Sequence, residues 1–116
     1  MEFVNKDADM VLVNTSPEEL KKLAAIMRAC HSYDPVLCEM DSDDLLDLAD
    51  RLDKAEQDSW VFHDLEILYL YNILIFARSL GDECRSSSHY FNNVTEQEIV
   101  DMWAQLKKID ELRHLA

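Results

Sequence analysis

The spacing of apolar residues along the chain predicts four α-helices, at about residues 17–33, 43–57, 60–80 and 96–115. In the first, second and fourth of them, apolar side chains recur every three or four positions, which places them on one face of a helix. Local start signals agree with this spacing, because Ser16 followed by Pro17, and Thr95 followed by Glu98, are typical of helix N-termini. The pattern therefore predicts an all-α protein, a compact four-helix bundle.

The third of these helices differs from the others because it has no polar face. Apolar residues between 60 and 80 point in every direction around the predicted helix, and a helix that is apolar all round must be buried all round. We therefore expect it to be the central helix of the bundle. A small bundle leaves one face of each helix in water, so either residues 1–14 and 82–93 cover the excess apolar surface or a second copy of the chain does. A self-association surface here would use Tyr69, Tyr71, Asn72 and Ile75.

Composition favours a globular helical domain over a disordered tail. The chain has 116 residues, of which 48% are hydrophobic, and disordered acidic segments carry less apolar surface than this. One glycine and two prolines leave little material for the tight turns of an all-β fold. Since there is no internal repeat and no marked shift in composition, residues 1–116 are expected to form a single acidic helical domain.

The sequence predicts a cytoplasmic protein. Residues 1–7 show neither the basic start nor the apolar stretch of a secretory signal. Three cysteines are an odd number, which fits free thiols in a reducing compartment. The longest apolar run, Ile67 to Ala77, is shorter than the roughly 18 to 20 residues that cross a bilayer, so we expect no membrane association.

Acidic residues are concentrated in one part of the chain. The formal net charge is −13, from 24 acidic and 11 basic residues, and residues 39–66 carry −9 of it. Because nucleic-acid binding depends on Lys and Arg at the phosphates, we expect no direct nucleic-acid binding; a local negative field instead attracts a basic protein surface. Carboxylates one helical turn apart also resemble phosphates in spacing, which suggests a partner that handles nucleic acid. The predicted partner-binding carboxylates are Glu39, Asp41, Asp43, Asp44, Asp47, Asp50, Asp53 and Asp58.

Part of the acidic charge on the second predicted helix has basic residues close by in the sequence. An amphipathic helix needs a polar outer face in any case, and Arg51 and Lys54 follow Asp47 and Asp50 by four residues, so part of the acidic stripe is expected to form local ion pairs.

A second candidate surface is the polar stretch 82–93, whose length without clear structure is typical of functional loops. It contains aromatic and cationic residues of the kind that anchor interfaces, namely Arg85, His89, Tyr90 and Phe91.

The sequence contains no evident catalytic constellation. A single glycine cannot build a phosphate-binding loop, and a calcium-binding loop starting at Asp41 would place Leu46 and Leu52 where a glycine and a glutamate are needed. Cys84 precedes His89 by five residues, but it follows a predicted helix C-terminus, which disfavours a thiolate. The residues closest in spacing to a carboxylate-bridged metal site are His63, Glu66, Glu111 and His114. We expect no enzyme activity, no cofactor and no bound metal.

In charge and size the chain is similar to protein inhibitors of nucleic-acid-handling machines, such as bacteriophage counter-defence proteins and bacteriocin immunity proteins. The similarity is one of class and rests on no shared motif. The leading expectation is a non-enzymatic acidic module that acts as a stoichiometric inhibitor or adaptor by docking on a basic surface of its partner, of which a nucleic-acid-binding surface is one case. The first alternative is a structural or regulatory module that self-associates as a homodimer through residues 60–80. The second is a carboxylate-bridged metalloenzyme.

Overall fold

A computed structural model describes residues 1–80 and 94–116, and it contains both helices and strands. The prediction of an all-α four-helix bundle is therefore wrong, because a three-stranded antiparallel sheet accompanies the four α-helices of the described residues. The elements, in chain order, are β1 (Glu2–Asp7), β2 (Met10–Asn14), α1 (Pro17–Tyr33), a 3-10 helix (Pro35–Cys38), α2 (Ser42–Asp53), β3 (Ser59–His63), α3 (Asp64–Ser79) and α4 (Glu96–Leu115).

The first two strands form a hairpin in the segment whose structure the sequence pattern left open. Asp7 pairs with Met10, so only two residues connect the strands, and Ala8 adopts a positive φ of 53° there. Such a turn normally uses glycine or asparagine, which is why the sequence gives no hairpin signal. Side chains in β2 alternate: Val11 and Val13 are buried against the helices.

The third strand replaces the predicted first turn of the central helix. Ser59–His63 pairs antiparallel with β2, in the order β1-β2-β3, and its Phe62 side chain is fully buried. Aromatic and β-branched residues of this kind favour a pleated, half-buried surface. The apolar run that predicts one helix over residues 60–80 is thus divided into β3 and α3, and α2 ends at Asp53 rather than at residue 57.

The helices pack in two pairs around a shared core. Helix α1 lies against α2, and α3 lies against α4. Strand β1 packs on α4. One buried cluster includes side chains from all four helices and from β2 and β3. In the described residues no helix is long and apolar enough to cross a membrane.

The start of α4 is fixed by a capping box that the sequence predicts. Thr95 Oγ1 accepts a hydrogen bond from the Glu98 N–H at 3.1 Å, and Glu98 Oε1 accepts one from the Thr95 N–H at 3.1 Å. The Glu98 carboxylate also forms an ion pair with Lys22 of α1. The Lys22 hydrogen bond, followed by the Thr95 N–H, holds the pKa of Glu98 below its usual value.

Replacing Thr95 by Ala is expected to lower the free energy of unfolding by about 1 kcal/mol, because the Glu98 N–H loses its acceptor. Urea denaturation followed by circular dichroism measures this difference. Thr95→Ser is the matched control, since it keeps the hydroxyl, and it should stay within about 0.5 kcal/mol of the parent protein. An equal loss in both variants would show that the methyl group, and not the cap, is responsible.

Candidate partner-binding groove

A groove of about 420 Å³ lies between α2, the end of β3 and the first turns of α3. One wall is formed by α2 and the segment before it, and the other by residues 63–69. We call it the acidic groove, and it is lined by Glu39, Met40, Asp41, Asp44, Asp47, Arg51, His63, Leu65, Glu66 and Tyr69.

The rim of the acidic groove is held by hydrogen bonds that its own carboxylates accept. Asp41 is the N-cap of α2, and its side chain accepts from the Asp43 N–H at 3.0 Å. Glu39 has a left-handed backbone, with φ of 61°, and its Oε2 accepts from Asn72 Nδ2 of α3 at 3.0 Å. A non-glycine residue in this region is strained. The Asn72 contact therefore joins the strained turn to α3.

Negative charge predominates in the acidic groove. Its lining contains five carboxylates and one guanidinium, a formal charge of −4 with His63 neutral. Arg51 Nε lies 3.0 Å from Asp47 Oδ2, and an Arg51 terminal nitrogen lies 3.9 Å from Glu66 Oε2. The predicted local pairing of Arg51 with Asp47 is therefore present, and uncompensated carboxylates remain at the rim.

The predicted acidic patch is divided between two sides of α2. Asp50 and Asp53 face α1, where Arg28 lies 2.6 Å from one carboxylate and 3.5 Å from the other. Asp43 is exposed outside the groove lining, and Asp58 precedes β3, where its backbone carbonyl accepts from the Thr15 N–H at 3.1 Å. Of the eight carboxylates predicted to bind a partner, the groove thus brings together four: Glu39, Asp41, Asp44 and Asp47.

The outer face of α3 is apolar and uncovered in the described structure. Leu65, Leu68 and Ile75 are 50%, 37% and 43% exposed, so the described residues leave this side of the helix open to solvent. Residues 1–14 form strands instead of covering α3. Together with Asn72, which lies between them along the helix, these three residues form what we call the α3 strip.

The predicted self-association residues do not share one surface. Tyr69 lines the acidic groove, whereas Asn72 and Ile75 belong to the α3 strip. Tyr71 lies on another side of the helix and stacks on Trp103 of α4, with ring centroids 6.4 Å apart. The neighbouring Leu65 and Leu68 were not singled out from the sequence, although the absence of a polar face on this helix was the signal that could have identified them.

The four candidate metal ligands have other roles or stand apart. The His63 imidazole accepts from the Leu65 N–H at 3.1 Å, and the Glu66 carboxylate accepts from the His63 N–H at 2.7 Å, so both cap α3. Glu111 is exposed, and His114 Nε2 lies 3.7 Å from Asp110. Among the described residues, no group of three or more potential ligands is arranged to hold a metal.

Neither described cysteine resembles an activated nucleophile. Burial raises the pKa of the Cys30 thiol, and it raises the pKa of Cys38 to about 11, which keeps both thiols protonated near neutral pH. Cys84 and the predicted loop residues, which are Arg85, His89, Tyr90 and Phe91, lie outside the described residues.

The described surface combines negative charge with uncovered apolar side chains. Its distinguishing feature is a ring of exposed carboxylates next to uncovered apolar side chains, with Leu65 belonging to both the acidic groove and the α3 strip. The chain matches no protein-family model, no curated protein and no solved structure.

Proposed function

We propose that the chain is a non-enzymatic protein-binding module that docks a basic segment of its partner in the acidic groove and on the α3 strip. The observation that carries this proposal is the continuity of the two surfaces through Leu65. By occupying a basic surface, the module acts as a stoichiometric inhibitor or adaptor. Free thiols at Cys30 and Cys38 are consistent with a reducing compartment, and we place the interaction in the cytoplasm.

The two surfaces would contribute to binding in different ways. A cluster of carboxylates accelerates encounter with a basic partner, but exposed ion pairs give little net affinity and are screened by salt. Burial of apolar side chains supplies lasting contact, since each Å² removed from water contributes about 25 cal/mol. The partner segment is therefore expected to carry both Lys or Arg and apolar residues. Basic surfaces of nucleic-acid-handling proteins supply such a charge.

A second copy of the chain is the competing occupant of the α3 strip. In a symmetric dimer the same patch of both copies meets, so two strips in contact would bring together two grooves of −4 each. Like charges at an interface are unfavourable. This repulsion favours a basic partner over self-association, and in solution the protein should sediment as a monomer of 13.5 kDa.

Replacing Leu68 and Ile75 by Ser should weaken binding of a synthetic peptide of lysine and leucine about 10-fold, because two apolar contacts are lost. Isothermal titration calorimetry measures the dissociation constant. Both side chains are exposed, so stability should change little. Val4→Ser is the control, since Val4 has similar exposure at 42% but lies on β1. Equal weakening by the control variant would remove the α3 strip from the proposal.

A further inference from the structure

Within the part of the chain that the structure describes, β3 is an edge strand whose outer backbone groups pair with no other strand. The Asp64 N–H donates to the Asp9 carbonyl at 2.7 Å, and the Thr15 N–H donates to the Asp58 carbonyl at 3.1 Å. In an antiparallel pair, hydrogen-bonded positions alternate with positions whose backbone groups point away. Residues 58, 60, 62 and 64 therefore bond to β2 or its flanking residues, and the N–H and C=O groups of Ser59 and Val61 point toward the outer edge.

The other edge of the sheet is protected, whereas the β3 edge is not. Strand β1 has a register shift between Phe3 and Asn5, carries Lys6 and packs against α4. Bulges, lysines and covering elements are the usual means of blocking strand addition. Strand β3 has no lysine, no proline and an unbroken register. Its principal contacts within the described structure are with β2 and with α3, which directly follows it.

The unprotected edge leads directly into the acidic groove. His63 is both the last residue of β3 and part of the groove lining, and Leu65 follows on α3. Val61 is 48% exposed, so apolar side chains of a strand added beside it could pack against Val61. An extended chain advances about 3.3 Å per residue, so one part of the segment can pack beside Val61 while residues farther along it reach the carboxylates of the groove.

We infer that the partner segment binds in extended form, as a fourth strand along the outer edge of β3, and continues into the acidic groove. This inference rests on the proposed function and specifies the conformation of the partner. Main-chain hydrogen bonds to Ser59 and Val61 would supply affinity, and the groove would select for basic residues.

Charge disfavours a second copy of the chain at this edge. Antiparallel pairing of two β3 strands about Val61 would bring two acidic grooves, each with a formal charge of −4, into one continuous sheet. Like charges placed opposite one another destabilise a strand pair. A basic extended segment meets no such repulsion.

Two peptides of identical lysine and leucine content test the inference. In one the residues alternate, which favours a strand; in the other, leucine recurs every three or four positions, which favours a helix. The alternating peptide should bind about 10-fold more tightly. Val61→Pro should weaken its binding about 10-fold, since an outward N–H is lost, and Val61→Ile, which keeps the N–H and the apolar side chain, should leave it unchanged. Proline is tolerated at edge positions whose N–H faces solvent.

Hydrogen exchange of the unaltered protein provides a measurement that does not depend on a variant. Binding of the alternating peptide should slow exchange of the Val61 amide at least about 10-fold. Equal affinity for the two peptides, with unchanged exchange at Val61, would overturn strand addition and leave the groove proposal intact. Failure of both peptides to bind would overturn the proposed function and this inference together.

Discussion

Replacing Arg113 by Met will lower the free energy of unfolding at neutral pH by about 2 to 3 kcal/mol. Arg113 of α4 is only 5% exposed, and it lies 2.6 Å from Asp64 Oδ1 at the start of α3 and 2.7 Å from Asp110 Oδ1. Removal of one member of a buried ion pair leaves the others desolvated without a partner, which costs about 3 to 5 kcal/mol when burial is complete. Asp64 is partly exposed here and keeps Lys6 at 3.6 Å as a second partner, so we expect a smaller loss.

The loss should depend on pH in a defined direction. The hydrogen bond from Arg113 holds the pKa of Asp64 below its usual value. A group whose pKa is lower in the folded than in the unfolded chain stabilises the fold above its unfolded pKa, about 3.9 for aspartate, and this stabilisation disappears as the pH falls through the folded pKa. The difference between the parent protein and Arg113→Met should therefore be full at neutral pH and shrink below about pH 4.

Arg51→Met is the matched control for this prediction. Arg51 also pairs with two carboxylates, Asp47 and Glu66, but it is exposed, and exposed pairs contribute about 0 to 1 kcal/mol. Urea denaturation of both variants at several pH values gives the comparison. A loss for Arg113→Met that is no larger than the loss for Arg51→Met, or one that is independent of pH, would contradict the role given to the buried pair.

Replacing Asp44 and Asp47 together by Lys will weaken binding of the lysine and leucine peptide about 30-fold at low salt. The double substitution changes the formal charge of the acidic groove from −4 to 0. Charges near a surface interact by about 1 to 4 kcal/mol at contact distance, and most of that attraction is screened by salt. Calorimetric titrations at low and at physiological ionic strength should therefore show a smaller difference at the higher salt concentration.

The division of the acidic patch between two sides of α2 provides the control. Replacing Asp50 and Asp53 by Lys changes the net charge by the same amount on the same helix, but those residues face Arg28 of α1. This variant should bind the peptide within about 3-fold of the parent protein, since only the distant, screened field changes. Similar weakening in both double variants would mean that net charge, and not the groove, attracts the peptide.

The helix boundaries could be predicted where the signals are local. Ser16 caps α1 and Pro17 is its first residue, and Thr95 and Glu98 form the capping box of α4. Both motifs lie within one helical turn and depend on no distant contact. The end of α2 was predicted too late because the chain must leave the helix at Asp53 to bring β3 alongside β2, which is a tertiary requirement.

The sheet could not be predicted for the same physical reason. Its hairpin uses Ala8 at positive φ, where sequence patterns signal glycine or asparagine. Strand β3 pairs with β2 across more than forty residues of chain, and its Trp60-Val61-Phe62 sequence continues into the apolar run of α3 without a break. Short apolar runs do not distinguish a strand from a helix by periodicity.

The sequence predicts that the candidate site is rich in carboxylates, but it does not predict which of them share one surface. The concentration of carboxylates in residues 39–66 is a property of the sequence alone. Which of them face α3 and which face Arg28 depends on how α2 is rotated in the fold. The absence of a polar face on the third helix indicated excess apolar surface, but the exposure of Leu65, Leu68 and Ile75 follows from packing of the opposite face against α4.

The most direct test of the binding surface is a nuclear magnetic resonance titration of the full chain with the alternating lysine and leucine peptide, following backbone amide shifts. The largest changes should lie in residues 39–47, at Arg51 and in residues 59–75, which contain the acidic groove, the α3 strip and the free edge of β3, and they should diminish as salt is added. Changes centred on Arg28, Asp50 and Asp53, or on Arg85, His89, Tyr90 and Phe91, would contradict the assignment of binding to the acidic groove.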